Sequence, residues 1–184
     1  MRSYGRAAAL LALVLGCAAH SRVTAAEFRS RGVHEHGSAT LDIALDGSTL
    51  DIALHSPAIN VIGFEHEPRS PQEKAALAQA NRVFGAPQGL FVLPEQAACA
   101  STGVTLTPIT YEHDGEDEKA GAPHADYDVS YRFNCAHADH LDWIAVKLFG
   151  RMKGMRKITA NVVTATLQTQ VELTSDGTRI ALRL

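Results

Sequence analysis

The chain has 184 residues, of which 46% are hydrophobic and 20% are charged, and its formal net charge is −3 at pH 7. This length and apolar content predict one domain with its own hydrophobic core. The acidic balance disfavours phosphate backbones and anionic lipid surfaces, which argues against nucleic-acid binding and against a membrane-surface protein. It does not disfavour cations.

The first 26 residues have the features of a secretory signal peptide. A basic start and an apolar centre precede the small residues Thr24–Ala26, and Glu27 follows. The apolar run is shorter than the roughly 20 residues that cross a bilayer. We therefore expect residues 27–184 to form a single domain outside the cytoplasm, with no membrane span. The alternative is a lipoprotein attached through Cys17, although Leu15 fits a lipobox badly.

A group of histidines near the start of this domain is its most chemically specific feature. The candidate metal ligands are His34, His36, His55, His66 and Glu65. His34 and His36 alternate in a run, Val33–Gly37, that is predicted to open the first strand, so both rings would share one strand face. Zinc accepts imidazole and carboxylate ligands. The group predicts a zinc site, and the alternative is that the histidines are solvated polar residues without function.

The next segment predicts a β-hairpin. Apolar residues alternate with polar or small ones in Leu41–Leu45 and in Leu50–Leu54, and Asp46–Thr49 between them has turn-forming residues. Pairing the apolar residues of the two strands, with Leu45 opposite Leu50, places all of them on the core face.

This register separates the histidines. It places His55 opposite Thr40, about 13 Å from His36 along a straight strand. Shared coordination of one ion therefore requires the chain to bend, and Gly37 and Pro57 are placed to allow a bend.

A helix is predicted over Pro71–Phe84. Ser70 can cap its first turn, Glu73 occupies the capping-box position and Gly85 ends the run. Its apolar stripe indicates an amphipathic helix that covers one face of a sheet.

Two further strands are predicted at Gly103–Tyr111 and Ala125–Asn134, with an acidic and histidine-containing surface loop at 112–125 between them. His113 and His124 in this loop are a second candidate for cation binding, although such a charge run is often only a solvated loop.

The end of the chain predicts more β-structure. Leu141–Phe149 fits a strand or a helix, Ile158–Val171 is rich in strand-forming residues, and Asp176–Gly177 indicates a final hairpin that leads to Ile180–Leu182. The elements together predict an α+β fold: an antiparallel, β-rich single domain with one or two helices packed on the sheet.

Two cysteines follow the signal peptide, Cys99 and Cys135. Outside the cytoplasm an isolated pair most simply forms a disulfide. Free thiols, or a soft-metal site with the nearby His137, are the alternatives.

An enzyme is not predicted, because the sequence contains no HExxH, GxSxG or glycine-rich phosphate-loop motif. An open zinc site with Glu35 or Glu65 as a base leaves a zinc-dependent hydrolase as an alternative.

Several motifs together resemble the ZrgA-like family of periplasmic zinc-uptake proteins of Gram-negative bacteria. They are His34–Gly37, the hairpin Leu41–Gly47, His55–Pro57, Gly63–His66 and Tyr131–Cys135. The resemblance implies a periplasmic protein that binds zinc and works with a zinc importer under zinc shortage. Members commonly carry a long histidine- and aspartate-rich tract where this chain has only His113 to His124, which shifts weight onto the four histidines near the start.

The sequence thus favours a periplasmic protein that captures zinc and supports its uptake or its delivery to an importer. The rival hypothesis is a structural or interaction protein whose histidines are incidental.

Overall fold

The computed structural model describes residues 35–112, 124–152 and 154–183. The predicted signal peptide, Cys17, His34 and His113 lie outside the described residues. The main elements, in chain order, are β1 (Ser38–Asp46), β2 (Thr49–Pro57), α1 (Ala58–Ile62), α2 (Pro71–Phe84), β3 (Phe91–Val92), β4 (Cys99–Leu106), β5 (Tyr111–Glu112), β6 (His124–Cys135), β7 (Trp143–Val146), β8 (Lys157–Thr164), β9 (Gln168–Leu173) and β10 (Arg179–Ala181).

The predicted hairpin forms in the predicted register. Leu45 pairs with Leu50 and His55 lies opposite Thr40 across β1 and β2. Buried and partly exposed residues alternate along both strands, so the apolar set faces the core. Gly47 in the connecting turn has φ +56°, a conformation that favours glycine.

The first strand does not begin where it was predicted. His36 and Gly37 lie in a turn, and β1 starts at Ser38. Gly37 has φ +86°, and its N–H donates to the side chain of Asn60 in α1 rather than to a neighbouring strand. A positive φ interrupts extended backbone, so the prediction that the first strand already contains His36 and Gly37 is wrong.

The larger sheet has seven strands. Its order is β4-β6-β2-β1-β8-β9, with β5 paired to β6. All neighbours run antiparallel except β1 and β8, which are parallel. The predicted strand Gly103–Tyr111 was placed too late: β4 spans Cys99–Leu106, and Pro108, which has no N–H, lies in the gap before β5. The ends of the predicted loop at 112–125 are strand residues of β5 and β6.

A second sheet has the order β10-β7-β3. The ambiguous segment Leu141–Phe149 contains the strand β7. The predicted final hairpin is wrong, because β10 pairs with β7 and not with the strand that precedes it in sequence. Strand pairing between distant segments is set by tertiary packing, which local turn signals do not report.

The core lies on the inner face of the larger sheet. Phe84 of α2 packs edge-on against Tyr127 of β6, with ring centroids 5.3 Å apart. Phe91 of the smaller sheet packs against Tyr131 and Phe133 of the same strand. A helix and a small sheet therefore cover one face of the larger sheet, which confirms the α+β class.

Cys99 and Cys135 are directly opposite each other across β4 and β6 and are joined by a disulfide bond, as the sequence predicted. In the described part of the chain, every helix is too short or too polar to cross a membrane.

Candidate metal centre

One end of the larger sheet gathers the candidate ligands. The start of β1, the end of β2 and the start of β6 lie at this end because these strands are antiparallel neighbours, and β8 starts there because it runs parallel to β1. Pro57 ends β2 and α1 follows at once. Gly63, with φ +91°, ends α1 and turns the chain into Phe64–His66.

This path brings His36 and Glu65 together. The imidazole Nε2 of His36 lies 3.4 Å from the carboxylate Oε2 of Glu65. That separation exceeds the usual N–H···O hydrogen-bond range of about 2.7–3.2 Å. It is close to the roughly 3.3 Å that separates two ligand atoms bound at 2.0–2.1 Å to one tetrahedral zinc ion. The two atoms are therefore spaced as a pair of metal ligands would be.

The carboxylate of Glu65 is nearly buried, with 8% of its side chain exposed, whereas 57% of the His36 side chain is exposed. The second oxygen of Glu65, Oε1, is buried and has no hydrogen-bond partner within the described segments. A buried carboxylate without full compensation is costly, and a bound cation would supply that compensation.

Asn60 fixes the turn that carries His36. The residue is 3% exposed. Its Oδ1 accepts from Gly37 N at 2.8 Å, and its Nδ2 donates to Ser38 O at 2.9 Å and to Ser56 Oγ at 3.1 Å. Glu65 lies three residues after the end of α1. Asn60 therefore holds the turn with His36 against the same helix that leads into Glu65. Sequence reasoning missed Asn60, although it is the one polar residue in α1, Ala-Ile-Asn-Val-Ile.

Arg156 supports the same turn from outside. Its guanidinium Nη2 donates to His36 O at 2.6 Å, and Gly37 O accepts from Arg156 N at 2.8 Å. The next residue, Lys157, has its Nζ 3.7 Å from Glu35 Oε2. Glu35 thus balances the positive charge of Lys157 and leaves that of Arg156 at the turn.

His55 has a different carboxylate partner. Its Nδ1 lies 2.5 Å from Asp128 Oδ1 on β6. This hydrogen bond raises the pKa of His55 above its usual value, and the increase outweighs the decrease that partial burial causes. The negative charges of Asp128, Asp126 and Asp42 raise the pKa of His55 further. Metal-binding histidines often use one ring nitrogen in this way, which leaves Nε2 for a ligand.

His66 has a third partner. Its ring stacks on Phe64 with centroids 5.1 Å apart, Nδ1 lies 3.0 Å from Glu67 O, and Nε2 lies 3.7 Å from Glu73 Oε1 in the first turn of α2. The three described histidines of the predicted group thus face three different carboxylates.

Comparison with known families shows which family the chain belongs to. A family model described as ZrgA family zinc uptake protein matches residues 33–182. The chain belongs to the ZrgA family. A comparison with the curated proteins finds no match. The matched range contains His36 and Glu65, and it extends over both sheets of the fold. Membership of the ZrgA family gives the chain a zinc-related role, and the family is described by uptake of zinc and not by a catalysed reaction.

Among the residues with assigned structure, no three histidine, cysteine, aspartate or glutamate side chains lie close enough together to hold one metal ion. Within the described ranges, the ZrgA-family chain therefore presents histidine–carboxylate pairs rather than a completed four-ligand centre. His124 starts β6 opposite Glu112. Coordination by His34, His55, His66, His113 or His124 stays a prediction.

Proposed function

We propose that this chain is a periplasmic protein that captures zinc as cargo and supports its uptake, with the ion held between His36 and Glu65. The observation that carries the proposal is the 3.4 Å spacing of His36 Nε2 and Glu65 Oε2, with the other oxygen of this buried carboxylate unpartnered among the described residues. Family membership supplies the identity of the ion.

Two protein ligands leave room for others. His34 is two residues before His36 in the sequence and is the protein side chain we propose as a third ligand, with water completing the shell. An open coordination sphere suits a cargo ion that must leave again, whereas closed four-ligand sites hold zinc as a structural element.

The balance of charge also favours exchangeable binding. Glu65 contributes one negative charge, while Arg156 lies against the same turn. A single carboxylate beside a guanidinium attracts a divalent cation less strongly than several carboxylates would. We therefore expect release to a partner with more ligands, which is the property that delivery to an importer requires.

The proposed compartment has two supports. Residues 1–26 have the pattern of a signal peptide, and the disulfide between Cys99 and Cys135 suits an oxidising compartment. Expression of the full chain followed by osmotic-shock fractionation tests this point: release of the processed protein supports the proposal, and retention in the cytoplasm at full length contradicts it.

Calorimetric titration of the protein from residue 27 onward with zinc at pH 7.5 tests the site. The replacements His36→Ala and Glu65→Gln should each weaken zinc binding by at least about 10–100-fold, the loss usual for a residue that only supports a metal ligand. His34→Ala should weaken it as well.

His140→Ala is the matched control. His140 is an exposed histidine whose Nε2 lies 3.7 Å from Asp139 Oδ2, and it follows the opposite end of β6. The His140→Ala variant should bind zinc like the parent protein if the position of the replaced histidine matters. Unchanged affinity in both H36A and E65Q would reject the site, and equal small losses in all variants would favour incidental histidines.

A further inference from the structure

His66 and Glu73 form a histidine–carboxylate pair beside the proposed zinc site. His66 is the residue after Glu65, and Glu73 lies in the first turn of α2. The side chains are 39% and 28% exposed, so solvent reaches both, unlike the nearly buried Glu65.

The hydrogen bond of His66 fixes its tautomer. Nδ1 lies 3.0 Å from the backbone oxygen of Glu67, which can only accept, so Nδ1 carries the hydrogen. In the neutral ring Nε2 then presents a lone pair. It faces Glu73 Oε1, also an acceptor, at 3.7 Å. Two acceptors that face each other in this way favour a donor or a cation between them: a proton on Nε2, a bridging water molecule or a metal ion.

Glu73 is held in place for this contact. Its other oxygen, Oε2, accepts from Arg69 N at 2.7 Å and from Ser70 N at 2.9 Å, and Ser70 Oγ accepts from Glu73 N at 3.1 Å. This is the reciprocal capping box of α2. The two backbone donors lower the pKa of Glu73, so it is a carboxylate at neutral pH. The helix cap therefore fixes one oxygen and leaves the other directed at His66.

We propose that His66 Nε2 and Glu73 Oε1 bind a divalent transition-metal ion of the zinc class at a second, solvent-open site. The 3.7 Å separation is a few tenths of an ångström longer than the roughly 3.3 Å expected for two ligands at a tetrahedral angle on zinc. Both side chains are exposed enough to close that gap, and water fills the remaining positions. The stacking of the ring on Phe64 restricts the orientation of His66.

This second site does not depend on zinc binding by His36 and Glu65, because it is inferred from the contacts of His66 and Glu73 alone. If both sites bind, we expect the exposed pair of His66 and Glu73 to take up zinc before the pair of His36 and Glu65, because the Glu65 side chain is nearly buried.

The test uses long-range ¹H–¹⁵N NMR of the histidine rings during a zinc titration of the protein from residue 27 onward, in the His36→Ala background. We expect zinc to shift the Nε2 resonance of His66 into the metal-bound range. In this background Glu73→Gln should weaken that response by at least about tenfold. A glutamine at this position still completes a capping box, so Glu73→Gln should keep the parent melting temperature without zinc.

Glu95→Gln is the matched control, because Glu95 is exposed and lies in a short 3-10 helix away from this end of the sheet. It should leave the His66 response unchanged. The proposal is overturned if His66 responds to pH as an imidazolium–carboxylate pair but not to millimolar zinc, or if Glu73→Gln binds as the parent does. A His66 response that persists while His36→Ala and Glu65→Gln leave the overall zinc affinity unchanged would support this site and reject the one at Glu65.

Discussion

His55 Nδ1 and Asp128 Oδ1 lie 2.5 Å apart between the adjacent strands β2 and β6, where the two residues are direct register partners. The hydrogen bond raises the pKa of His55, and Asp126 and Asp42 contribute further negative charge. The protonated imidazole and the carboxylate therefore form an ion pair on the outer face of the sheet in mildly acidic solution.

Replacement of Asp128 by asparagine should lower the pKa of His55. Since the folded-state pKa lies above the unfolded value of about 6.5, the stabilisation is fully present below pH 6.5 and is lost as the pH rises through the folded-state pKa. Both side chains are 41% exposed, so we expect D128N to lose less than about 1 kcal/mol at pH 5.5 and almost nothing at pH 8.5.

NMR titration of His55 and urea unfolding at the two pH values measure these effects. Asp139→Asn, at the exposed His140 pair, serves as the control and should leave the titration of His55 unchanged. An unaltered pKa of His55 in D128N would contradict the prediction.

Replacement of Gly37 by alanine should disturb the proposed zinc site, while the same change at Gly47 should not. Both glycines have positive φ, so each substitution should destabilise the fold by about 1–2 kcal/mol. A Cβ at position 37 would lie 2.8–2.9 Å from the guanidinium of Arg156, whereas nothing lies within 4 Å at position 47. Arg156 must then move away from His36 O, and zinc affinity should fall only in G37A.

Zinc calorimetry and thermal unfolding of both variants separate these effects. A G37A protein with the zinc affinity of G47A would show that the turn does not position His36.

Replacement of Asn60 by alanine should remove the hydrogen bonds that hold this turn. Gly37 N would lose its buried acceptor, which should lower the free energy of unfolding by about 1–3 kcal/mol. Zinc affinity should fall as well, because the turn would no longer hold His36 beside Glu65. Asn161→Ala is the control: Asn161 also makes two side-chain hydrogen bonds, to Asp42 and Gln170, but on the open sheet face.

Urea unfolding and zinc titration are compared for the two variants. We expect N161A to keep the parent zinc affinity. Equal losses of affinity in N60A and N161A would point to general destabilisation rather than to positioning of His36.

Replacement of both Cys99 and Cys135 by alanine should destabilise the protein by about 4 kcal/mol, the chain-entropy value for a bridge between cysteines 36 residues apart. Because the bridge joins β4 to β6 at the end away from Glu65, zinc affinity at a temperature where the variant is folded should not change. Urea unfolding with and without reductant gives the first quantity, and an affinity loss in the folded variant would contradict the second expectation.

Local rules predicted the local parts of the fold. The register of β1 and β2 follows from the alternation of apolar residues, and the bounds and capping box of α2 follow from Ser70, Pro71 and Glu73. These features depend on residues that are close together in the chain, so the pattern of residue types is enough to predict them.

Long-range pairing was not predictable in the same way. Neither the parallel contact of β1 with β8 nor the pairing of β10 with β7 has a turn or a spacing that marks it. The resemblance to the ZrgA-like family was confirmed by the family match, and the disulfide was confirmed by the structure.

The proposed zinc site shows the same division: the sequence could name its residues, but it could not show which of them lie together. The sequence nominated His36 and Glu65, but their proximity depends on the positive φ of Gly37 and on the buried Asn60, which link the turn to α1. The three carboxylate partners of the histidines come from distant segments or from a helix cap, so residue spacing could not assign them.

The parallel contact between β1 and β8 has a consequence for how the protein matures. Asp42 and Asn161, which share a hydrogen bond across this contact, are 119 residues apart. The first hairpin is synthesised early, yet one edge of β1 has no partner until Lys157–Thr164 follows. A chain interrupted before Lys157 would keep that edge open to strands of other molecules, so premature termination should yield aggregates rather than a smaller functional protein.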